Sequence, residues 1–288
     1  MAYSNEMDYI TIASTGNATD FGDLTVNRRS GSACSNGSRG IAMGGEKSGG
    51  VEDTIDYWTF ASIGNATDFG NLTDACGHCY AAASDGTKGV LAGKGSIAGQ
   101  PAPALVDTIE YVNISSTGNV TDFGNLTAAR SPSSAASNGT RMVTFGGSED
   151  ASPASVDTME YVTFASLGNA ADFGNLVEIM SNGSGAAGDG TKGISGGGQG
   201  SGGADGNDYI QYVNIASTGN TTDFGDLSDA RYYVTGFGDG TKCVFAGGAK
   251  ASSYKNIIEY VNFASTGNVT EFGDLNTSPI GAMGASGD

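Results

Sequence analysis

Short runs of alternating apolar and polar residues recur along the chain: IEYVNI (109–114), MEYVTF (159–164), IQYVNI (210–215) and IEYVNF (258–263). Each is rich in β-branched and aromatic residues and is bounded by Gly and Asn, which predicts a strand. A Gly-Asn pair and then Phe-Gly-x-Leu follow; Gly-Asn tolerates positive φ and predicts a tight hairpin into a second short strand. Upstream lies another hairpin signal, at Asn36-Gly37, Asp85-Gly86, Asn138-Gly139, Asp189-Gly190 and Asp239-Gly240. Small residues such as Ala81-Ala82-Ala83 and Ala135-Ala136 precede these turns, and apolar runs ending in glycine follow them. The unit is therefore four antiparallel strands, A to D, with the small-residue strand A suited to a crowded axis.

The Tyr, Gly-Asn and Phe-Gly-x-Leu pattern occurs six times, with Gly-Asn pairs separated by 48, 54, 50, 51 and 48 residues. A period near fifty in so Gly-rich and β-branched a chain matches four-stranded propeller blades rather than helical solenoids. The expected fold is all-β, one six-bladed β-propeller domain over residues 1–288. Five blades run 28–72, 76–126, 130–176, 180–227 and 231–275, and the sixth is shared by 1–24 and 279–288. The sequence given stops where the turn and strand B of that blade should follow, about nine residues short by comparison with the other copies. Unpaired buried ladder groups cost about 1–3 kcal/mol each, so the slot is expected to be filled by further residues or by a strand from a neighbouring chain.

One copy contains Gly146-Gly147, Tyr161, Phe173 and a preceding Arg130, and in this it resembles the kelch repeat. The resemblance implies a paired glycine ending strand B, a Tyr in strand C, an aromatic packed between blades and an Arg before the next innermost strand. It extends over nearly the whole chain. The departures are Phe where kelch usually has Trp, Arg only at Arg28, Arg130 and Arg231, and Gly93-Lys94 in place of the glycine pair. The TGNxTDFGxL wording also resembles kelch-like structural proteins of marine bacteriophages, cyanophages above all, which implies a virion or extracellular setting.

Net charge is -18 with a pI near 4.1. The thirteen Lys and Arg form no cluster, which argues against nucleic acid, since phosphate neutralisation needs grouped cations. No charged start followed by an apolar stretch indicates a Sec signal, and no 18-residue apolar run indicates a membrane span. Release by lysis is the expected route out of a cell.

The A–B and C–D turns are nearly uniform and mark a structural face. The B–C connections vary: 46–52, 94–106, 148–156, 199–207 and 249–256. Variable loops on a rigid scaffold are the usual home of binding. With the D–A loops they nominate Arg28, Arg130, Arg231, Lys94, Gln100, Glu149, Asp150, Gln199, Lys250 and Tyr254 as binding residues; the bland alternative is solvated loops. Asp20, Asp68, Asp122, Asp172, Asp223 and Glu271 recur, but carboxylates a blade apart cannot share one calcium ion, and they are expected to accept turn N–H bonds. The recurring Tyr and Phe are expected in the core. Cys76, His78 and Cys79 form a weak metal candidate that lacks a fourth ligand; a local disulfide and free thiols are the alternatives, free thiols the default. The Asn-x-Thr sequons are expected to be turn chemistry.

The function expected from these features is non-enzymatic and cofactor-free: a tail- or capsid-associated virion module docking virion partners, neighbouring copies or the host surface, host glycans included. The alternative is a glycan-binding or sialidase-like propeller, for which Ser84-Asp85-Gly86-Thr87 offers an Asp-box likeness and Arg28, Arg130 and Arg231 a carboxylate clamp. That reading lacks an acid/base pair. A copper oxidase is disfavoured by the single histidine.

Overall fold

The computed structural model describes residues 3–97, 105–149, 155–200, 205–251, 253–278 and 283–285. Every regular element in them is a β-strand. A hairpin, β1 (Ser4–Tyr9) with β2 (Thr19–Arg28), opens the chain. Five four-stranded antiparallel units follow, consistent with propeller blades. They are β3 (Ser32–Ser35), β4 (Arg39–Lys47), β5 (Gly50–Thr59) and β6 (Thr67–His78); then β7 (Ala82–Ser84), β8 (Lys88–Ile97), β9 (Leu105–Asn113) and β10 (Thr121–Asn125). The third comprises β11 (Ser134–Ser137), β12 (Arg141–Ser148), β13 (Ser155–Thr163) and β14 (Ala171–Asn175), and the fourth β15 (Gly185–Gly188), β16 (Lys192–Gly196), β17 (Asn207–Asn214) and β18 (Thr222–Arg231). The fifth has β19 (Thr235–Gly238) and β20 (Lys242–Ala246), a small ribbon of β21 (Ala249–Lys250) and β22 (Ser253–Tyr254), then β23 (Ile257–Asn262) and β24 (Thr270–Asp274). The end of β6 pairs with β8 at Cys76↔Ile97 and His78↔Gly95, joining the first two units into one sheet. Elsewhere single bridges such as Arg29↔Glu46 and Ser131↔Ser148 tie a connecting segment to the second strand of the next unit, without merging the sheets.

The Asp-Gly turns form as predicted. Asp85 Oδ1 accepts the Thr87 and Lys88 N–H groups at 2.8 and 2.6 Å, the Asx geometry that such turns favour. The Gly-Asn pair does something else. Gly118 N–H donates to the Phe69 carbonyl of the preceding unit at 2.8 Å, and Asn119 Oδ1 accepts the Asn71 N–H at 3.0 Å. The hairpin bend itself lies earlier, where Ser116 N–H donates to Asn113 O. Thus Gly-Asn is an inter-sheet clasp rather than the turn its local chemistry predicts. The same pair of bonds recurs at Gly64, Gly168, Gly219 and Gly267, and Gly16 and Asn17 make it to Phe272 and Asp274. The clasp requires glycine opposite it: Gly70 has φ +152°, and a Cβ there would stand 2.3 Å from Gly118 O.

The apolar interior lies between neighbouring sheets. Cys34, Ile41, Phe69 and Leu72 meet Leu91, Val112 and Ile114, and the last sheet's Val244, Ala246 and Phe272 meet Ala18, Ile10 and Ile12 of the N-terminal hairpin. As expected, the six phenylalanines are buried, each edge-on to its repeat's Tyr at 5.7–6.0 Å between ring centres. The small-residue strands β3, β7, β11, β15 and β19 lie side by side in that order. Met283 and Gly284 sit between β19 and the approach to β3: a Cβ on Gly31 would touch Met283 Sδ, and one on Gly284 would touch Phe237 and Thr235.

Candidate functional site

Four of the nominated binding residues turn inward. Arg28, Arg130, Arg231 and Lys94 are between 0 and 3% exposed. Each lies against a carboxylate on a third strand, Lys94 on that of its own unit and each arginine, from the end of the preceding hairpin or sheet, on that of the next: Arg28–Asp56 at 2.8 Å, Lys94–Glu110 at 2.9 Å, Arg130–Glu160 and Arg231–Glu259 at 2.5 Å. The carboxylates also gather groups from the strand of the preceding unit, Thr25 onto Asp56 and Thr127 onto Glu160. Burial pulls the Arg28 and Arg130 guanidiniums below their ordinary value, opposed by the facing carboxylates. These cations join one sheet to the next and are not presented to a ligand, which corrects the sequence expectation.

The second unit has Cys76 where others have the arginine, since Glu52↔Cys76 matches Asn207↔Arg231 in register. Lys94, in the place of the missing glycine, supplies the cation instead. The fourth unit has Met180 and Gln211 in place of cation and acid. Gln211 Oε1 accepts from Val177 N–H and Thr221 Oγ1, and its amide donates to Glu178 O. A buried charge is thus replaced together with its partner, as the cost of an unpaired interior ion requires.

Of the remaining nominees, Glu149 is partly exposed with Oε1 3.8 Å from Arg130 Nη1. Gln199 is held by Ser181 and Asn182, Lys250 by Asp229, and Tyr254 is 37% exposed on β22. Gln100 and Asp150 lie outside the described residues. Cys76 and Cys79 form a disulfide, so neither is the free thiol or metal ligand considered from sequence; Cys34 and Cys243 are free and buried. Among the described residues no group of three or more His, Cys, Asp and Glu could hold a metal. The recurring acids Asp20 to Glu271 are exposed on the last strand of each repeat. The turn N–H groups go to Asn side chains and to Asp85, Asp189 and Asp239, and the clasp N–H groups to Asn side chains and backbone carbonyls.

A cluster that the sequence did not nominate surrounds Glu46. Its Oε2 accepts from Arg29 Nε at 2.8 Å and Nη2 at 2.6 Å, and Oε1 lies 3.2 Å from His78 Nε2. The His78 bond, then Arg29, pull the Glu46 carboxyl down to about 2 against the opposing effect of burial. The His78 ring stacks on Tyr80 at 5.7 Å, Tyr80 meets Tyr233 at 6.1 Å, and Arg29 covers Tyr3 at 5.0 Å. Burial pushes the Tyr80 and Tyr233 phenols up. The cluster is built from the D–A connections of different units together with β4, and Ser30 and Tyr233 within it have φ of +59° and +57°. Such non-glycine strain costs on the order of 1–3 kcal/mol. The available signal was the departure of Arg29, His78, Tyr80 and Tyr233 from the Ser-rich wording at 131–134. Chemically, the cluster offers aromatic faces and a hydrogen-bonding trio of Arg29, Glu46 and His78.

Beside it, the small-residue strands leave a space of about 50 Å³, against roughly 300 Å³ or more for a small-molecule pocket. No protein-family model matches the chain, and no curated protein matches it. No helix among the described residues is long and apolar enough to cross a membrane.

Proposed function

We propose that the chain is a kelch-like propeller of six blades closed by its N-terminal hairpin, and that it works by recognition rather than catalysis. Closure is supported by the clasp at Gly16 and Asn17, which repeats on the last sheet the bonds made between every other neighbouring pair. The observation that carries the binding reading is the commitment of the interior cations to structural ion pairs. This removes the arginine clamp a sialidase-like site would need. What differs between copies is the loop face: the Glu46 cluster and the B–C connections with Glu149, Gln199, Lys250 and Tyr254.

The proposed setting is a bacteriophage particle, tail- or capsid-associated, where this face docks virion partners or the host surface. The acidic chain suits an extracellular life, and the repeat wording supports the phage assignment. Immunogold labelling of purified particles with antibody to this chain tests it. Label at a fixed position on the particle is expected; label restricted to host-cell debris contradicts it. Incubation with a fluorogenic sialoside is expected to give no turnover, and turnover would revive the glycan-processing reading.

A further inference from the structure

The A–B turns fall into two sets. Asp85, Asp189 and Asp239 are followed by Gly-Thr-Lys, Asn138 by Gly-Thr-Arg and Asn36 by Gly-Ser-Arg. In every one, the first residue's N–H donates to the carbonyl of the fourth at 3.1–3.3 Å. Its Oδ1 accepts the N–H groups of the third and fourth residues at 2.6–3.2 Å. Amide and acid therefore hold the same place with the same partners, and the fold accepts either.

At the two amides this geometry has a chemical consequence. Asn is among the chemically labile residues, and before glycine its Cγ is open to attack by the glycine's own nitrogen, with no Cβ in the way. Asn138 Oδ1 receives N–H bonds from Thr140 at 3.0 Å and Arg141 at 2.8 Å. Such donors polarise a carbonyl and stabilise the negative charge that attack places on its oxygen. Neither the Gly139 N–H nor the Asn138 side-chain nitrogen makes a hydrogen bond among the described residues. Gly139 and Thr140 are exposed, and nothing lies within 4 Å of a Cβ built on Gly139. Asn36 has the same two donors on its oxygen, but its amide also donates to Ser115 Oγ at 3.4 Å. The third Asn-Gly pair differs. Asn182 has φ +50°, its amide donates to Gln199 Oε1, its carbonyl accepts the Tyr233 N–H, and Gly183 is buried against Tyr233. No backbone N–H reaches its Oδ1 among the described residues.

We propose that Asn138, and after it Asn36, are sites of spontaneous deamidation promoted by the folded turn, while Asn182 is held as the amide. The Gly139 nitrogen bonds to Asn138 Cγ and the Cγ–Nδ2 bond breaks. The departing NH2 takes the glycine nitrogen's proton and leaves as ammonia, and a cyclic imide remains. Water then cleaves the new Cγ–N bond, its hydroxyl going to Cγ and its hydrogen to the Gly139 nitrogen. One water enters, one ammonia leaves, and nothing is oxidised. Cleavage on the other side of the imide would give isoaspartate and insert a methylene between the Asn138 N–H and the Arg141 carbonyl that it meets. Aspartate alone keeps the turn that Asp85 keeps. Each conversion adds one negative charge to a chain of net charge -18, on the face of uniform turns, so that this face becomes more acidic as the protein ages. The inference uses only the described A–B turns and does not rest on the loop face.

The test is to hold the folded 288-residue chain in warm, mildly alkaline buffer and follow it by anion exchange. The three sites are then mapped by mass spectrometry, with fragmentation that separates aspartate from isoaspartate. Conversion to aspartate is expected at Asn138 first and at Asn36 second, with none at Asn182; in urea all three should convert together. An Asn138 that stays an amide in the folded chain overturns the proposal, whatever it does in urea. So does Asn182 converting alongside Asn138 in the folded chain, because sequence alone would then set the rate, and so does isoaspartate as the folded chain's main product. The Asn138→Asp variant should elute with the singly converted chain and unfold at the same urea midpoint as the unmodified protein. A lowered midpoint would contradict a turn that accepts its product.

Discussion

At the residue scale, the repeat contains its own controls. Gly70 and Gly64 share nearly the same φ, +152° and +157°, but a Cβ on Gly70 would strike Gly118 O, whereas one on Gly64 meets nothing within 4 Å. Gly70→Ala is therefore expected to cost about 2 kcal/mol or more beyond Gly64→Ala in urea unfolding, the size of a steric effect in a packed interior; equal costs would remove the clasp's steric basis. The buried ion pairs give a second control, because the chain carries both solutions. Arg130→Met alone strands Glu160 in the interior and is expected to cost about 3–5 kcal/mol. Adding Glu160→Gln recreates the Met180 and Gln211 combination and should recover at least half of that loss, measured as a double-mutant cycle. Additive losses would show that Arg130 and Glu160 act independently. The loss of the arginine in one copy was legible in the sequence, but its coupling to the Gln that replaces Glu at 211 was not. That Arg130 meets Glu160 at all was not, because the two are thirty residues apart and one looked like a loop residue.

Among the elements, strands and Asp-Gly turns followed from residues next to one another, and so could be read locally. The Gly-Asn clasp could not: its partners, Phe69 and Asn71 for Gly118 and Asn119, belong to another unit, and local turn chemistry has no view of them. The same applies to the D–A connections, where Glu46, Arg29 and His78 come together only through the stacking of sheets. Their ion-pair network predicts a pH effect. The Glu46 carboxyl, held at about 2 in the folded chain against an ordinary value of 4.5, contributes stability that is fully present above about pH 4.5 and lost as pH falls through about 2. Glu46→Gln should flatten that part of the acid-unfolding curve followed by circular dichroism, and an unchanged curve would contradict the network. At the neighbouring connection, opening the four-residue Cys76–Cys79 loop is expected to cost no more than about 2 kcal/mol by its loop-closure entropy. Cys76 and Cys79 are themselves 0% exposed, so iodoacetamide should leave them unlabelled in the reduced folded chain and label them only on unfolding. It should spare Cys34, whose thiol burial pushes up to about 12, and Cys243, also fully buried. Mass spectrometry of the labelled chain reads both outcomes; alkylation of Cys34 before unfolding would contradict its placement.

For the molecule as a whole, the account depends on one contact being made six times, five times between consecutive sheets and once between the two ends of the described chain. The repeat count was visible in the sequence as spacing, and the last unit shared by both ends belongs to the proposal. What the spacing did not carry was how the ends meet, which rests on Gly16 N–H donating to Phe272 O at 2.9 Å, Ala18 N–H to Asp274 O at 2.8 Å, and Asp274 N–H to Asn17 Oδ1 at 3.1 Å. If those bonds hold the hairpin in place, one side of the assembly carries the variable connections around a common axis, and that side is the one proposed above for recognition. Residue-resolved amide hydrogen exchange of the 288-residue chain tests this most directly. The account predicts that the Gly16 and Ala18 amides exchange as slowly as those of Gly118, Gly168 and Ala170, which make the same bonds between interior sheets. Gly16 and Ala18 exchanging at the rate of an unstructured peptide, while Gly118 and Gly168 stay protected, would contradict it.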